Sequence, residues 1–439
     1  MGNIVYNLDK FWKWRIGMIY KKVLRNRITL VMEELPYYRS VSVGVWVRAG
    51  SMYETEANNG MAHVIEHMLF KGTKRRSAEM LADEMTALGG NMDAFTCKDC
   101  TCYYAKTLDI HLEKVMDLLS DMLLHSRFDG EELKKELGVI LDEIDLYEDS
   151  PEDLVHEHLQ MEVWKDHPLG YLISGDKAVV GHFTREDVLT FFRKFYVGSN
   201  MVISIAGHFD RDQAEELAEK YFGELQSGER AQIPEPPIFT PCLWLKEKDM
   251  EQNHMTLAFD CCTNISEERY VLTVVNSLLG GNMNSRLFMK IRDLMGLTYS
   301  IYSYGSSYET AGLFQIYAAM SPEAAGKVVE EIFREVDRLK AEGFTSRELT
   351  VAKAQIQTEL IIDSESTYSR MSANGKNSLI FGHVIPLEEE LKRIGSVSLE
   401  DTQSFVCKYL DKRHCAMSMV GQTRIVDGTF RRKIWGGEV

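Results

Sequence analysis

Short runs of alternating small and apolar residues recur along the chain, and they read as β-strands half-buried in a sheet. Val41–Val47 (VSVGVWV) is one. His254–Asp260 (HMTLAFD) repeats the pattern 213 positions later. Tyr104-Ala105 returns as Tyr317-Ala318 at the same offset, and Lys114-Val115 opens a helical stretch that Lys327-Val328 echoes. Met201–Gly207 matches Cys415–Gly421 at an offset of 214. Landmarks that keep their order and spacing are the mark of a duplication.

The pattern therefore predicts an α+β protein of two duplicated halves, each a mostly antiparallel sheet packed with helices. The first half runs over 19–228 and the second over 241–430, with a connector at 229–240 that contains Ile233–Pro237 (IPEPP). Residues 1–18 form an N-terminal extension and 431–439 a C-terminal tail. In Met1–Lys22, Phe11, Trp12 and Trp14 stand among Lys10, Lys13 and Arg15, with neither a continuous apolar core nor a cleavage site. Such a segment could lie on a membrane surface or precede a true start at Met18.

Composition narrows the function. Among 439 residues, Lys+Arg number 50 against Asp+Glu 66, for a net charge of −16. Nucleic-acid binding draws on basic residues that neutralise phosphates, so this balance argues against it and toward cationic partners. No run approaches the ~18 consecutive apolar residues of a membrane span. The eight cysteines, with Cys261 and Cys262 adjacent and Cys97, Cys100 and Cys102 crowded together, do not read as a disulfide framework. Reduced thiols in a cytoplasm are the expectation. Cys97-Lys-Asp-Cys100 could be a second metal site, a redox pair or simple packing.

The most specific motif is His63-Val-Ile-Glu66-His67, set in the apolar-periodic run Gly60–Phe70. On a helix, residues four apart share a face, so both imidazoles can grip one ion with Glu66 beside them. A catalytic zinc wants a third N or O ligand and an open position. A later helix supplies candidates, opening at Asp129-Gly-Glu-Glu132 with an N-cap signature and carrying Glu136 and Glu143 seven positions apart on one face. One carboxylate can bind metal while the other supports it.

With these residues in view, the chain resembles the inverted-motif zinc metallopeptidases, the family of pitrilysin, insulysin and the mitochondrial processing peptidase. In that family a Glu about 76 residues beyond the second His completes the site, and here that position is Glu143. Phe70–Thr73 (FKGT), His167–Gly170 (HPLG), Leu279–Gly281 (LGG) and Ser285–Phe288 (SRLF) agree with the resemblance. It implies one Zn²⁺ per chain on His63, His67 and Glu143, with Glu66 as general base and Glu136 behind a ligand. It further implies an edge strand at Asp93, Ala94 and Phe95 that pairs with extended peptide, although Asp93 stands where the family usually has Asn. Arg292 and Tyr299 look like the family's Arg and Tyr pair, which reaches the substrate from the second half. Adding 213 places Asn276, Leu279, Gly280 and Ile356 where the first half has His63, Glu66, His67 and Glu143, so the second copy cannot bind zinc.

The expected activity is a zinc endopeptidase for extended, cationic or presequence-like peptides. A non-catalytic peptide-binding scaffold of the same fold and a small-molecule zinc hydrolase are the rivals. Relatives enclose substrate between two such units, so the expected assembly is a homodimer or a heterodimer with an inactive paralogue.

Overall fold

The computed structural model describes residues 18–425. The segments expected as an N-terminal extension, at 1–17, and as a C-terminal tail, at 431–439, lie outside the described residues. The first half runs β1 (Met18–Val23), β2 (Thr29–Glu34), β3 (Ser40–Val47), α1 (Met61–Leu69), α2 (Ala78–Ala87), β4 (Asn91–Thr96), β5 (Thr101–Leu108) and α3 (Leu112–His125). It continues with α4 (Gly130–Asp149), α5 (Pro151–Val163), α6 (Lys177–Val180), α7 (Arg185–Phe195), β6 (Met201–Gly207) and α8 (Arg211–Phe222). The second half runs β7 (Leu243–Glu247), β8 (Asn253–Cys261), α9 (Glu268–Leu279), β9 (Thr298–Ser307), β10 (Gly312–Met320) and α10 (Ala325–Glu342). It ends with α11 (Ser346–Asp363), α12 (Thr367–Phe381), α13 (Leu387–Ser396), α14 (Leu399–Tyr409) and β11 (Cys415–Gly421).

Two sheets result, with strand orders β1-β2-β6-β3-β5-β4 and β7-β11-β8-β10-β9. Setting β1 aside, the orders are the same strand for strand, including one parallel pair in each, β2 with β6 and β7 with β11. The α+β class and the duplication are thus present in the topology. The connector at 229–240 carries no helix or strand.

The central strands of each sheet are buried on both faces, and the second face is covered by the other half. Along β3, Val43, Val45 and Val47 point into the core shared with α1 and α3, while Trp46 points the other way into a cluster with Met371 and Leu379 of α12. In return α5 of the first half lies on β8 and β11, where Leu154 and Val155 meet Tyr317 and Val420. This exchange explains why β3 and β6 read as nearly continuous apolar runs. It also demands close approach: a Cβ built on Gly375 would stand 2.2 Å from the Trp46 indole nitrogen. Hydrogen bonds cross the seam, with Ser204 Oγ donating to the Met371 carbonyl (2.8 Å) and Asn374 donating to Glu33 (2.7 Å). Arg48 and Glu309 form a buried ion pair between the halves.

Candidate metal centre

The helix that carries the motif is fixed at its start. Gly60 has φ of 99°, a left-handed backbone that favours glycine, and its Cα packs on Gly175 and Val180. The Glu54 carboxylate accepts from the amides of Gly60 (2.7 Å) and Ala62 (2.8 Å) and from Asn59 Nδ2 (2.9 Å), so an acidic group caps the helix N-terminus. Burial pushes the Glu54 carboxyl up to about 7 even against these donors. Met61, Ala62, Val64, Ile65, Met68 and Leu69 of α1 are buried. The remaining positions, His63, Glu66 and His67, meet α4 and β4.

From α4, Glu143 reaches both imidazoles. Its Oε2 lies 3.8 Å from His63 Nε2 and 3.7 Å from His67 Nε2. α4 starts where the sequence predicts, with Asp129 accepting from the amides of Glu131 and Glu132. Ligand atoms of His63, His67 and Glu143 all fall within 4.8 Å of one another. These separations are too long for hydrogen bonds, and two ligands about 2.0–2.1 Å from one tetrahedral ion stand roughly 3.4 Å apart. Burial, with a smaller contribution from His67, holds His63 down at about 4, so it is a neutral imidazole at neutral pH, as a ligand must be. The donor set therefore fits a zinc ion.

Around the three atoms stand further groups. His67 Nδ1 donates to Glu136 Oε2 (3.0 Å), leaving Nε2 free to face the cluster. Lys71, one turn beyond His67, donates to the other Glu136 oxygen (2.7 Å). Thr96 Oγ1 at the end of β4 donates to Glu66 Oε2 (2.5 Å). Burial raises the Glu66 carboxyl, and the Thr96 hydroxyl and His67 oppose the rise only in part.

β4 is the outermost strand of its sheet and pairs only with β5. Asp93, Ala94 and Phe95 are therefore on an open edge. The edge is not bare, because Asp93 Oδ1 accepts from the Ala94 amide (2.8 Å). The Phe95 side chain packs inward, its ring 5.6 Å from Trp46. In the second half, Arg292 lies over the rings of Phe288 (4.4 Å) and Tyr299 (5.7 Å), and Tyr299 is 75% exposed at the start of β9. No hydrogen bond, ion pair or ring contact joins Arg292 or Tyr299 to the His63, His67 and Glu143 cluster. Where the duplicate cluster would be, Leu279 and Ile356 are buried in the core and Asn276 Oδ1 accepts from Ser303 Oγ (2.7 Å).

Sequence reasoning passed over Glu54, Lys71 and Thr96. Lys71 lies past the end of α1 at Leu69, so no helical spacing announced its bond to Glu136. Thr96 and Glu54 had no signal either, because their partners are set by how β4 and the loop at 51–60 cross α1.

The fold and the convergent histidine and glutamate set define a duplicated α+β protein with an inverted H-x-x-E-H metal centre in its first half. The chain belongs to the insulinase family, peptidase family M16. That family's pattern matches residues 29–177, and the pattern of the peptidase M16 inactive domain matches 182–356. The second match begins inside the first structural half, since β6 and α8 beyond residue 182 complete the first sheet and its cover. A relative from Bacillus subtilis, named an uncharacterized zinc protease YmxG, is 40% identical over 383 residues, covering 87% of this chain and 93% of the relative. A Rickettsia felis protein named an uncharacterized zinc protease is 34% identical, over 86% of this chain and 92% of its own. A protease from Helicobacter pylori shares the fold with a TM-score of 0.86 at 21% identity, over 92% of this chain and 100% of that one.

Proposed function

We propose that this chain is a zinc-dependent endopeptidase that hydrolyses peptide bonds in extended peptides. The observation that carries the proposal is the convergence of His63, His67 and Glu143 within 4.8 Å, with Glu66 on the same helical turn as both imidazoles. The relatives' names as zinc proteases support it. Zinc, when bound, supplies Lewis-acid polarisation of a carbonyl and acidifies water toward a pKa of ~7.

The remaining chemistry belongs to the chain. Glu66 takes a proton from the attacking water at its carboxylate and returns it to the departing amine. Its raised proton affinity suits both transfers, and Thr96 fixes which carboxylate oxygen is turned away from the water. Glu136 holds the His67 tautomer. The β4 edge at Asp93, Ala94 and Phe95 offers main-chain pairing to a substrate strand, and the charge of Asp93 together with the net −16 favours cationic peptides. Arg292 and Tyr299 make no contact with the cluster within one chain, which supports a homodimer, or a heterodimer with an inactive paralogue, that completes the site. No helix among the described residues is long and apolar enough to cross a membrane.

The test is zinc analysis of the purified protein together with mass spectrometry of products from an unbiased peptide library, with and without chelator. One zinc per chain and chelator-sensitive internal cleavage are expected. No cleavage by the zinc-loaded protein would favour a peptide-binding scaffold, and chelator-insensitive cleavage would refute the mechanism.

A further inference from the structure

The turn between β4 and β5 carries chemistry that peptide hydrolysis does not use. Residues 97–100 close this hairpin, with the Cys97 amide donating to the Cys100 carbonyl (2.7 Å). The two sulfur atoms and the Asp99 carboxylate lie within 4.8 Å of one another. Cys100 is buried and Cys97 is partly exposed, the asymmetry of a resolving thiol and an attacking one. Lys376 of α12 supplies positive charge that acts on Asp99 and on both sulfurs. A cation in this cluster would be repelled by Lys376, whereas a thiolate would be stabilised. The hydrogen bond from Cys100, aided by Lys376, holds the Cys97 thiol below its ordinary range against burial and Asp99.

The turn is coupled to the candidate active site by one residue. Thr96, adjacent to Cys97, donates to Glu66. On the other side the turn is anchored: the Met52 amide donates to the Lys98 carbonyl (2.9 Å). A Cβ built on Gly50 would stand 2.3 Å from the Cys97 carbonyl oxygen. A disulfide would draw the sulfurs to about 2.05 Å. With the Cys97 and Lys98 carbonyls held against Gly50 and Met52, the strain of closure falls on Cys100 and on the amide side of Cys97, next to Thr96.

We propose that Cys97 and Cys100 form an oxidisable dithiol, closed by a hydroperoxide, whose disulfide form displaces Thr96 from Glu66 and lowers hydrolysis; the last clause rests on the peptidase reading. The Cys97 thiolate attacks one peroxide oxygen, the O–O bond breaks, and hydroxide leaves as Cys97 becomes a sulfenic acid. The Cys100 thiol attacks that sulfur, the S–S bond forms, the S–O bond breaks and water departs. With hydrogen peroxide, the two thiols together lose two electrons and two protons, and the peroxide becomes two waters.

The experiment treats the zinc-loaded full chain with stoichiometric hydrogen peroxide, alkylates free thiols, and digests with trypsin. Trypsin cuts after Lys98, so a Cys97–Cys100 disulfide holds two peptides together that otherwise separate. Those linked peptides are expected, released by dithiothreitol, with fragment ions placing the bond on Cys100 and not on Cys102 of the same peptide. In parallel, kcat/KM is expected to fall roughly tenfold or more on oxidation and to return on reduction, the size of one lost charge-assisted hydrogen bond. Cys97→Ser should keep the reduced enzyme's activity and resist peroxide, and Thr96→Val should be slow without any oxidant. Cys97 and Cys100 remaining reduced while exposed Cys407 is modified would overturn the proposal, as would a disulfide that leaves kcat/KM unchanged. A drop from two zinc ions to one in Cys97→Ser would make the pair a metal site instead. A reduced protein with no peptidase activity counts against the reading of the zinc site, and the linked peptides still decide the dithiol.

Discussion

Glu136 offers the sharpest quantitative test, because the structure gives it two partners with different jobs. It is buried, accepts from His67 Nδ1 at 3.0 Å, and receives Lys71 at 2.7 Å on its other oxygen. Glu136→Ala frees the His67 ring to rotate and to take the tautomer with the proton on Nε2, where it cannot bind metal. Loss of such a supporting partner weakens metal binding about 10–100-fold, or roughly 1.4–2.7 kcal/mol. Lys71 is partly exposed, so water can solvate its ammonium once Glu136 is gone, and the fold should survive. Competition against a chromophoric chelator measures the affinity directly, without reference to turnover. Glu136→Gln, which keeps an acceptor for the imidazole, should fall between wild type and Glu136→Ala. Lys71→Met leaves the imidazole bond in place and should cost less than Glu136→Ala. Zinc affinity within about threefold of wild type in Glu136→Ala would refute the orienting role. A larger loss in Lys71→Met than in Glu136→Ala would show that Glu136 chiefly serves the lysine.

Three further outcomes are expected. Glu66→Gln should keep one zinc per chain by metal analysis and lose about 10²–10⁴ in kcat, the usual worth of a general base; near-wild-type turnover would remove Glu66 from that role. Gly375→Ala pushes a methyl into the Trp46 ring, and overpacking of about 1–3 kcal/mol should exceed the helix-propensity gain of about 1 kcal/mol, so urea unfolding should show a net loss. Burial works to raise the Glu348 carboxyl, but Arg286 and Thr345 overcome it and bring it down to about 2. A depressed folded value means the stabilisation is full above about 4.5 and fades as pH falls toward 2. The Glu348 side chain is about a third exposed, so screening keeps the pair near roughly 1 kcal/mol. Glu348→Gln should thus be destabilised at pH 7 and converge on wild type near pH 2; a gap that widens in acid would contradict the sign.

The convergence of His63, His67 and Glu143 was legible because two of them share one helical turn and the third lies on a helix announced by its own cap, Asp129. Periodicity alone left Glu136 and Glu143 interchangeable. The crossing of α4 over α1 separates them: Glu143 faces both Nε2 atoms, while Glu136 faces Nδ1 of His67. Thr96 as the partner of Glu66 had no local signature because the pair joins β4 to α1, and Glu54, six residues before Gly60, becomes the cap of α1 only through the path of the loop at 51–60.

The sequence by itself determined the duplication, the alternating strands, the inverted motif and the loss of its ligands in the second copy, because all of these are local patterns or fixed offsets. Tertiary structure alone decided that the halves exchange α5 and α12 across each other's sheets. It also decided that β4 is left as an open edge beside Glu66 and that Cys97 and Cys100 meet where the charge of Lys376 acts on them. Those outcomes depend on which surfaces are buried against which, and burial of one element by another hundreds of residues away is not written in the period of either.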